Sequence, residues 1–268
     1  MKISSIKAKN VISPSKISTF SHAINAYVGC PHACIYCYAE FMREVSGHIE
    51  AWGKFVDIKE FDLKCIDKFL HNYKGQKLFM SSVTDCYNPL EKNIKSTRKI
   101  LERLANSDIS LQILTKSKLV LRDLDIFKTI PNLRVGISIS TLNNSLATLF
   151  EPRASKPFER LEALRILHEN NIKTLLFISP IFPEITPVFD IVGHCDKIAD
   201  EIGFEGLNLY PNFRNKILSF VGRNFPKLLP LYKQIYLFND KSYFMNLRNE
   251  IDHKMVGKAY FTSFKGIN

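Results

Sequence analysis

Three of the chain's six cysteines, Cys30, Cys34 and Cys37, fall in the stretch GCPHACIYCY. Thiolates bind soft metals, so the spacing Cys-x3-Cys-x2-Cys points to zinc or to an iron–sulfur cluster. Structural zinc takes four closed ligands, usually as two pairs on separate knuckles. No second pair follows: Cys65 and Cys86 are isolated, and Cys195 lies on an apolar stripe. His32, between the first two cysteines, would complete a Cys3His site only by a tight fold-back. A cubane cluster ordinarily takes four thiolates. A loop with three leaves one iron without a protein ligand, and an open iron is a place for a substrate or cofactor. Tyr27, Tyr36 and Tyr38 flank the loop, where their rings would shield a cluster from water.

Such a loop needs a scaffold. The 268 residues, 46% hydrophobic and 24% charged, suit a globular α/β chain with a substantial core. Short apolar runs read as strands at 23–27, 77–82, 110–115, 133–140, 173–179 and 206–210. Between them run stripes of helical period: Leu63, Ile66, Phe69 and Tyr73; Ile100, Leu101 and Leu104; Leu161, Leu164 and Leu167; and Phe189, Val192, Cys195, Ala199 and Ile202. Alternating strand and helix means βαβ units and a parallel sheet, open or closed into a barrel. After Pro211 the pattern turns helical, from Leu228 to Phe238 and from Tyr243 to His253. The expectation is one domain over 1–268, with a core at about 23–210 and a C-terminal helical extension at about 211–268 packed on it.

In such folds ligands sit at the carboxyl ends of the strands. The residues ending these strands are Ser82, Thr84 and Asp85; Thr115, Lys116 and Ser117; Ser138 and Ser140; and Ser179. Hydroxyls and charges on successive strands suggest a polar pocket over an apolar interior. Each one alone also fits a turn or a helix cap. Ser138 and Ser140 alternate with Ile137 and Ile139, so both face one side of their strand. Arg153 is a candidate for a carboxylate or phosphate, with an ion pair to Glu151 or Glu159 as the other reading.

The formal net charge of +11 favours a polyanionic partner, nucleic acid first, although the Lys and Arg are scattered and equally fit an ordinary basic surface. No apolar run is long enough to span a bilayer, and MKISSIKAKNVISPSK lacks the apolar core of a signal peptide. A cytoplasmic protein with reduced thiols and no membrane partner is expected.

GCPHACIYCY resembles the cluster loop of the radical S-adenosylmethionine (SAM) superfamily. The runs SVTDCYNPLEK, ILTKSKLVLRDLD, SISTLNNSLATLFEPRA, FERLEALRILHENNI and ISPIFPEIT are similar to the branch that includes spore photoproduct lyase. GHIEAWGKFVDIK also resembles the radical SAM mobile pair proteins. The resemblance implies a partial (β/α)6 barrel, a smaller relative of the eightfold TIM barrel. It implies an enzyme whose [4Fe–4S] cluster, fed by a flavodoxin- or ferredoxin-like donor, reductively cleaves SAM to a 5′-deoxyadenosyl radical that takes hydrogen from a substrate. It further implies Cys30, Cys34 and Cys37 as cluster ligands and Tyr36 as a SAM contact. Ser82, Thr84 and Asp85 fall near the cofactor's amino-acid end, Lys116 near its carboxylate, Ser138 and Ser140 near its ribose or carboxylate, and Ser179 near its adenine. Tyr38 is implied in substrate handling or hydrogen transfer. The lyase returns a hydrogen atom to its product from a cysteine where this chain has Ser82, so photoproduct repair is not expected. Cys86 is the candidate donor, with an ordinary small core residue as the other reading. A nucleic acid or nucleotide is the expected substrate, and the mobile-pair likeness adds a partner radical SAM protein. Radical chemistry on a small metabolite or peptide, and a Cys-rich zinc module that binds nucleic acid, are the alternatives.

Overall fold

The computed structural model describes residues 1–265, so the last three residues of the expected extension lie outside the described residues. In chain order the elements are β1 (Lys2–Lys7), β2 (Ile12–Pro14), β3 (His22–Ile24), β4 (Tyr27–Val28), α1 (Met42–Val45), β5 (Phe55–Glu60), α2 (Lys64–Asn72) and β6 (Lys77–Met80). There follow α3 (Glu91–Ile94), α4 (Ser96–Leu104), β7 (Ser110–Thr115), α5 (Leu124–Phe127), β8 (Asn132–Ser138), α6 (Asn144–Phe150), α7 (Pro157–Glu169) and β9 (Lys173–Ile181). The chain ends with α8 (Val188–Cys195), β10 (Glu201–Gly206), α9 (Pro211–Asn224), α10 (Leu229–Leu237), α11 (Ser242–Lys254) and β11 (Tyr260–Ser263).

Among the described residues, eight strands form one sheet in the order β11-β10-β9-β8-β7-β6-β3-β2. From β3 to β11 every neighbouring pair is parallel, and β2 adds an antiparallel edge. The two edges, β2 and β11, do not pair with each other, so this is a mixed α/β fold on a mainly parallel sheet rather than a closed barrel. Its central strands are buried along most of their length, hence their near-continuous apolar sequences, such as LLFISPI in β9. Leu78, Ile113, Val135, Ile137, Leu176 and Ile178 contribute to the main core. The connecting helices cover it with stripes such as Leu161, Leu164 and Leu167 of α7, which opens on Pro157 at its first turn.

Three features depart from the sequence reading. Helix α8 stops at Cys195, and Ile202, expected on its stripe, lies in β10 four residues earlier than the expected strand at 206–210. The C-terminal segment is helical as expected, but it returns through β11 to pair with β10. A small second sheet, β1-β5-β4, was not foreseen. It pairs β1 with β5 in parallel and sets Val28, just before the cysteine loop, opposite Asp57. No described helix is long and apolar enough to cross a membrane.

Candidate active site

The cysteine loop lies over the carboxyl ends of β6–β10 and is fastened from several sides. Gly29 enters it with φ +83°, and a Cβ there would stand 2.6 Å from the Phe55 carbonyl oxygen, so only glycine fits. Thr84 Oγ1 donates to the Gly29 carbonyl at 2.8 Å. Arg153 donates from Nε to the Pro31 carbonyl at 2.5 Å and from its other arm to the Gly53 carbonyl. Ile35 N–H donates to the Phe150 carbonyl at 3.0 Å. Ile35 and Tyr36 also pack on a second apolar cluster, built on Phe150, Phe182, Ile217 and Tyr232, through which the C-terminal helices support the loop.

Asp85 is a hub beneath the loop. One oxygen accepts from Tyr87 N–H at 2.8 Å and from Thr115 Oγ1 at 2.7 Å. The other accepts from Lys116 N–H at 2.9 Å and faces His32 Nδ1 at 3.3 Å. Burial disfavours its charge, but His32 and these donors outweigh burial and hold the carboxyl down at about 2. His32 is thereby oriented by Asp85 through its Nδ1. All six cysteines are free thiols. In the metal-free chain burial pushes each of the three loop thiols up to about 12, with the Asp85, Glu151 and Cys34 charges adding to the effect at Cys30, Cys34 and Cys37 respectively. Loading a metal centre must therefore displace their protons. Among the described residues, no three His, Cys, Asp or Glu side chains converge as the ligands of a single ion would. Three thiols spread along one loop suit the separate corners of a cluster.

Behind the loop stands a buried ion pair. Arg160 and Glu151, their side chains 2% and 1% exposed, face each other directly. Tyr36 hydroxyl donates to Glu151, and Ser140 Oγ lies 3.4 Å from it. Arg160 also donates to the Ser138 carbonyl at 2.9 Å and the Ser155 carbonyl at 2.7 Å. Burial opposes both charges, yet the pair keeps Glu151 below and Arg160 above its ordinary value. Ser138 Oγ donates to the Ser179 carbonyl at 3.0 Å. Burial and the Glu151 charge keep the Tyr36 phenol protonated.

Among the described residues, two ionisable groups at the mouth, Lys116 and Glu205, form no direct ion pair. Lys116 Nζ sits 5.8 Å above the Tyr36 ring. Burial lowers its basicity, but the Cys34 and Glu151 charges more than restore it. Glu205, near the end of β10, accepts from Ser179 Oγ at 2.5 Å. Burial raises its carboxyl, and Ser179 and Lys116 only partly offset this. Tyr38, 47% exposed, donates to the Ser82 carbonyl, and burial, with Glu205 nearby, raises its phenol above the ordinary value. Ser82 Oγ accepts from Asn25 Nδ2 at 3.2 Å.

Tyr36, Lys116, Ser138, Ser140 and Ser179 thus gather with the three cysteines around the strand ends. Thr84, Asp85 and Arg153 are engaged in fastening the loop. Cys86 lies 2% exposed in the main core, its thiol beside Ser81. Glu151, Arg160 and Glu205 were missed as site residues. Arg160 had a signal, because it shares the helical face of the buried Leu164 and Leu167. Glu205 had none, because the strand was placed one element-end too late.

The family model described as the radical SAM superfamily matches residues 24–188. An uncharacterized protein of Methanocaldococcus jannaschii is 39% identical over 256 residues, covering 96% of this chain and 95% of its own. An uncharacterized protein of Acidianus two-tailed virus is 31% identical over 195 residues, 69% of this chain and 64% of its own. Among solved structures, spore photoproduct lyase complexed with dinucleoside spore photoproduct superposes with a TM-score of 0.62 at 18% identity, over 84% of this chain and 66% of the lyase. A variant of that lyase was solved with bound AdoMet and the same dinucleoside. Streptococcus suis SuiB bound to S-adenosylmethionine gives a TM-score of 0.55 at 12% identity, over 92% of this chain and 50% of SuiB. The lyase and SuiB likenesses establish the fold, and the family model, which spans more than half of the chain, establishes the kinship: this chain belongs to the radical SAM superfamily, enzymes that use a [4Fe–4S] cluster and S-adenosylmethionine.

Proposed function

We propose that Cys30, Cys34 and Cys37 hold the [4Fe–4S] cluster, that SAM binds at the adjoining strand ends, and that the substrate is a nucleic acid or nucleotide. When bound, the two cofactors supply one-electron cleavage of the sulfonium and hydrogen-atom abstraction by the 5′-deoxyadenosyl group so released. The chain's own residues bind, orient and exclude water. Lys116 offers its ammonium to the SAM carboxylate. The Glu151–Arg160 pair fixes the Tyr36 hydroxyl and keeps that wall of the site rigid. Tyr38, open to the mouth, is a better placed hydrogen-transfer group than Cys86, whose thiol would need the core to open. Six of the seven parallel strands, β3 and β6–β10, support reading the fold as a partial (β/α)6 barrel, with β11 added at the edge. The six free thiols support a reducing, cytoplasmic setting.

The observation that carries the cofactor reading is the fastened loop of three thiols, Cys30 and Cys34 buried and Cys37 partly so, beside Lys116, which forms no direct ion pair among the described residues. The substrate class is supported by the +11 charge, by the half-exposed rings of Tyr38 and Tyr210, which offer faces for base stacking, and by the dinucleoside bound to the lyase neighbour.

The test is anaerobic reconstitution with iron and sulfide, reduction, and addition of SAM. A brown protein is expected, with a reduced-cluster EPR signal that changes on adding SAM, and 5′-deoxyadenosine as product. Cys34→Ala should take up no cluster. Colourless protein holding one zinc per chain would overturn the cofactor reading. Comparing 5′-deoxyadenosine yield with DNA, RNA and small-molecule pools tests the substrate class, and no response to either polyanion would end it.

A further inference from the structure

The chain has a single tryptophan, Trp52, in the turn that leads into β5. Its side chain is 7% exposed, and its indole N–H is buried with no hydrogen-bond partner. An unpaired donor held out of water is costly, and native structures rarely keep one without a use. The next residue, Gly53, lies with φ +82° so close to Ala33 that a Cβ would overlap the Ala33 side chain. Ala33 stands between the first two loop cysteines, so the Trp52 turn is packed on the cysteine loop itself. The apolar group holding the indole comprises Val28, Cys30, Ala39 and Phe55, with Cys37 and Met42 among its partly buried neighbours. No side chain in that group carries oxygen, and none but the indole carries nitrogen. The side-chain acceptors this apolar group brings to the indole are sulfurs, those of Cys30, Cys37 and Met42, two of them on proposed cluster ligands.

We propose that the Trp52 N–H donates a hydrogen bond to a sulfur of the bound cluster on its Cys30–Cys37 side, a cysteine thiolate or a bridging sulfide, and thereby sets the cluster's reduction potential. This rests on the assignment of the three cysteines as cluster ligands. A neutral thiol is a weak acceptor, whereas a thiolate or sulfide carrying negative charge is a good one. The donor that is idle in the metal-free chain gains its partner when the centre forms. A hydrogen bond to a cluster sulfur favours the more negative, reduced state and raises the potential. Trp52 is thus a tuning residue, and a phenylalanine could fill its space without doing its work.

Trp52→Phe keeps the ring and removes the donor. With iron and sulfide content equal to wild type, its cluster should be harder to reduce, with a midpoint potential clearly more negative in an anaerobic redox titration followed by EPR. Equal content with an unchanged potential would overturn the proposal. Because Trp52 is the only tryptophan, indole-15N labelling of the wild-type protein places a single spin label. Pulsed EPR of the reduced cluster should show coupling to that nitrogen, and its absence would also overturn the proposal, even where the variant fails to load. A wild-type chain that assembles no cluster would defeat the ligand assignment, which the iron and sulfide analysis reads separately.

Discussion

Among the described residues no carboxylate forms an ion pair with Lys116, although its charge is supported by Cys34 and Glu151 nearby. A cation so placed is free to meet an incoming anion. Replacing it in Lys116→Met should weaken SAM binding by roughly ten- to a hundredfold, the worth of one charge-assisted contact. Isothermal titration of the reconstituted protein would show this, and an unchanged affinity would remove Lys116 from the site. The buried Arg160–Glu151 pair predicts a different outcome. Arg160→Met leaves buried Glu151 without its guanidinium partner and should cost about 3–5 kcal/mol in urea unfolding. Adding Glu151→Gln should recover part of that loss, and a fully additive double variant would show that the two do not act as a pair. At this scale the sequence was most readable where residues recur in a fixed order, as in Cys30, Cys34 and Cys37, whose spacing pointed to the superfamily that the family model shows. Arg153 was less so, because whether a guanidinium meets a ligand or a backbone carbonyl depends on how two loops meet, and here it meets Pro31 and Gly53.

The small sheet β1-β5-β4 and the turn before it form the element that holds the cysteine loop from outside. His48 belongs to this element, bonded through Nδ1 to Glu50 at 3.0 Å and through Nε2 to Asp57 at 2.9 Å, with its ring stacked 3.9 Å from Phe55. Burial disfavours the imidazolium, but the bonds to Asp57 and Glu50 prevail and raise its pKa above the usual 6.5. A raised histidine stabilises the fold fully below the unfolded value of about 6.5, and that contribution fades as pH climbs through the folded value. His48→Gln should therefore lose most stability against wild type near pH 6, with the gap narrowing toward pH 9 in urea titrations at each pH. A gap that widens with pH would contradict the clamp. This element was illegible in the sequence because β1 and β5 are joined only by tertiary contact, more than 40 residues apart, and KISSIK has four of its six residues exposed and no strong apolar alternation. The main sheet was legible because strands buried on both faces must be apolar throughout. Helix α8 was overextended because its apolar spacing continues past Cys195 by coincidence into a buried strand, and periodicity alone cannot separate the two.

Whole-molecule charge gives the last test, because it acts without any particular contact. The chain carries 37 Lys and Arg against 26 Asp and Glu, and many of the carboxylates are already paired, as in Arg98 with Asp123 and Asp125, Arg165 with Glu162 and Glu169, and Arg122 with Glu91. The surplus is therefore cationic surface with few internal partners, which a polyanion can neutralise with release of its counterions. For a single strand making about three phosphate contacts, the logarithmic salt slope is roughly −2, so affinity should fall about 20-fold between ~50 and ~200 mM salt. Fluorescence anisotropy with a labelled single-stranded oligonucleotide, with SAM present and anaerobic, measures that slope. A substrate that enters the mouth adds a second condition. Glu205→Gln, which removes a charge beside Ser179 without opening the core, should change affinity at every salt concentration while leaving the slope within about half a unit. Binding that is weak and flat in salt would mean that the surplus charge serves solubility alone, and would return the substrate to the small-molecule class.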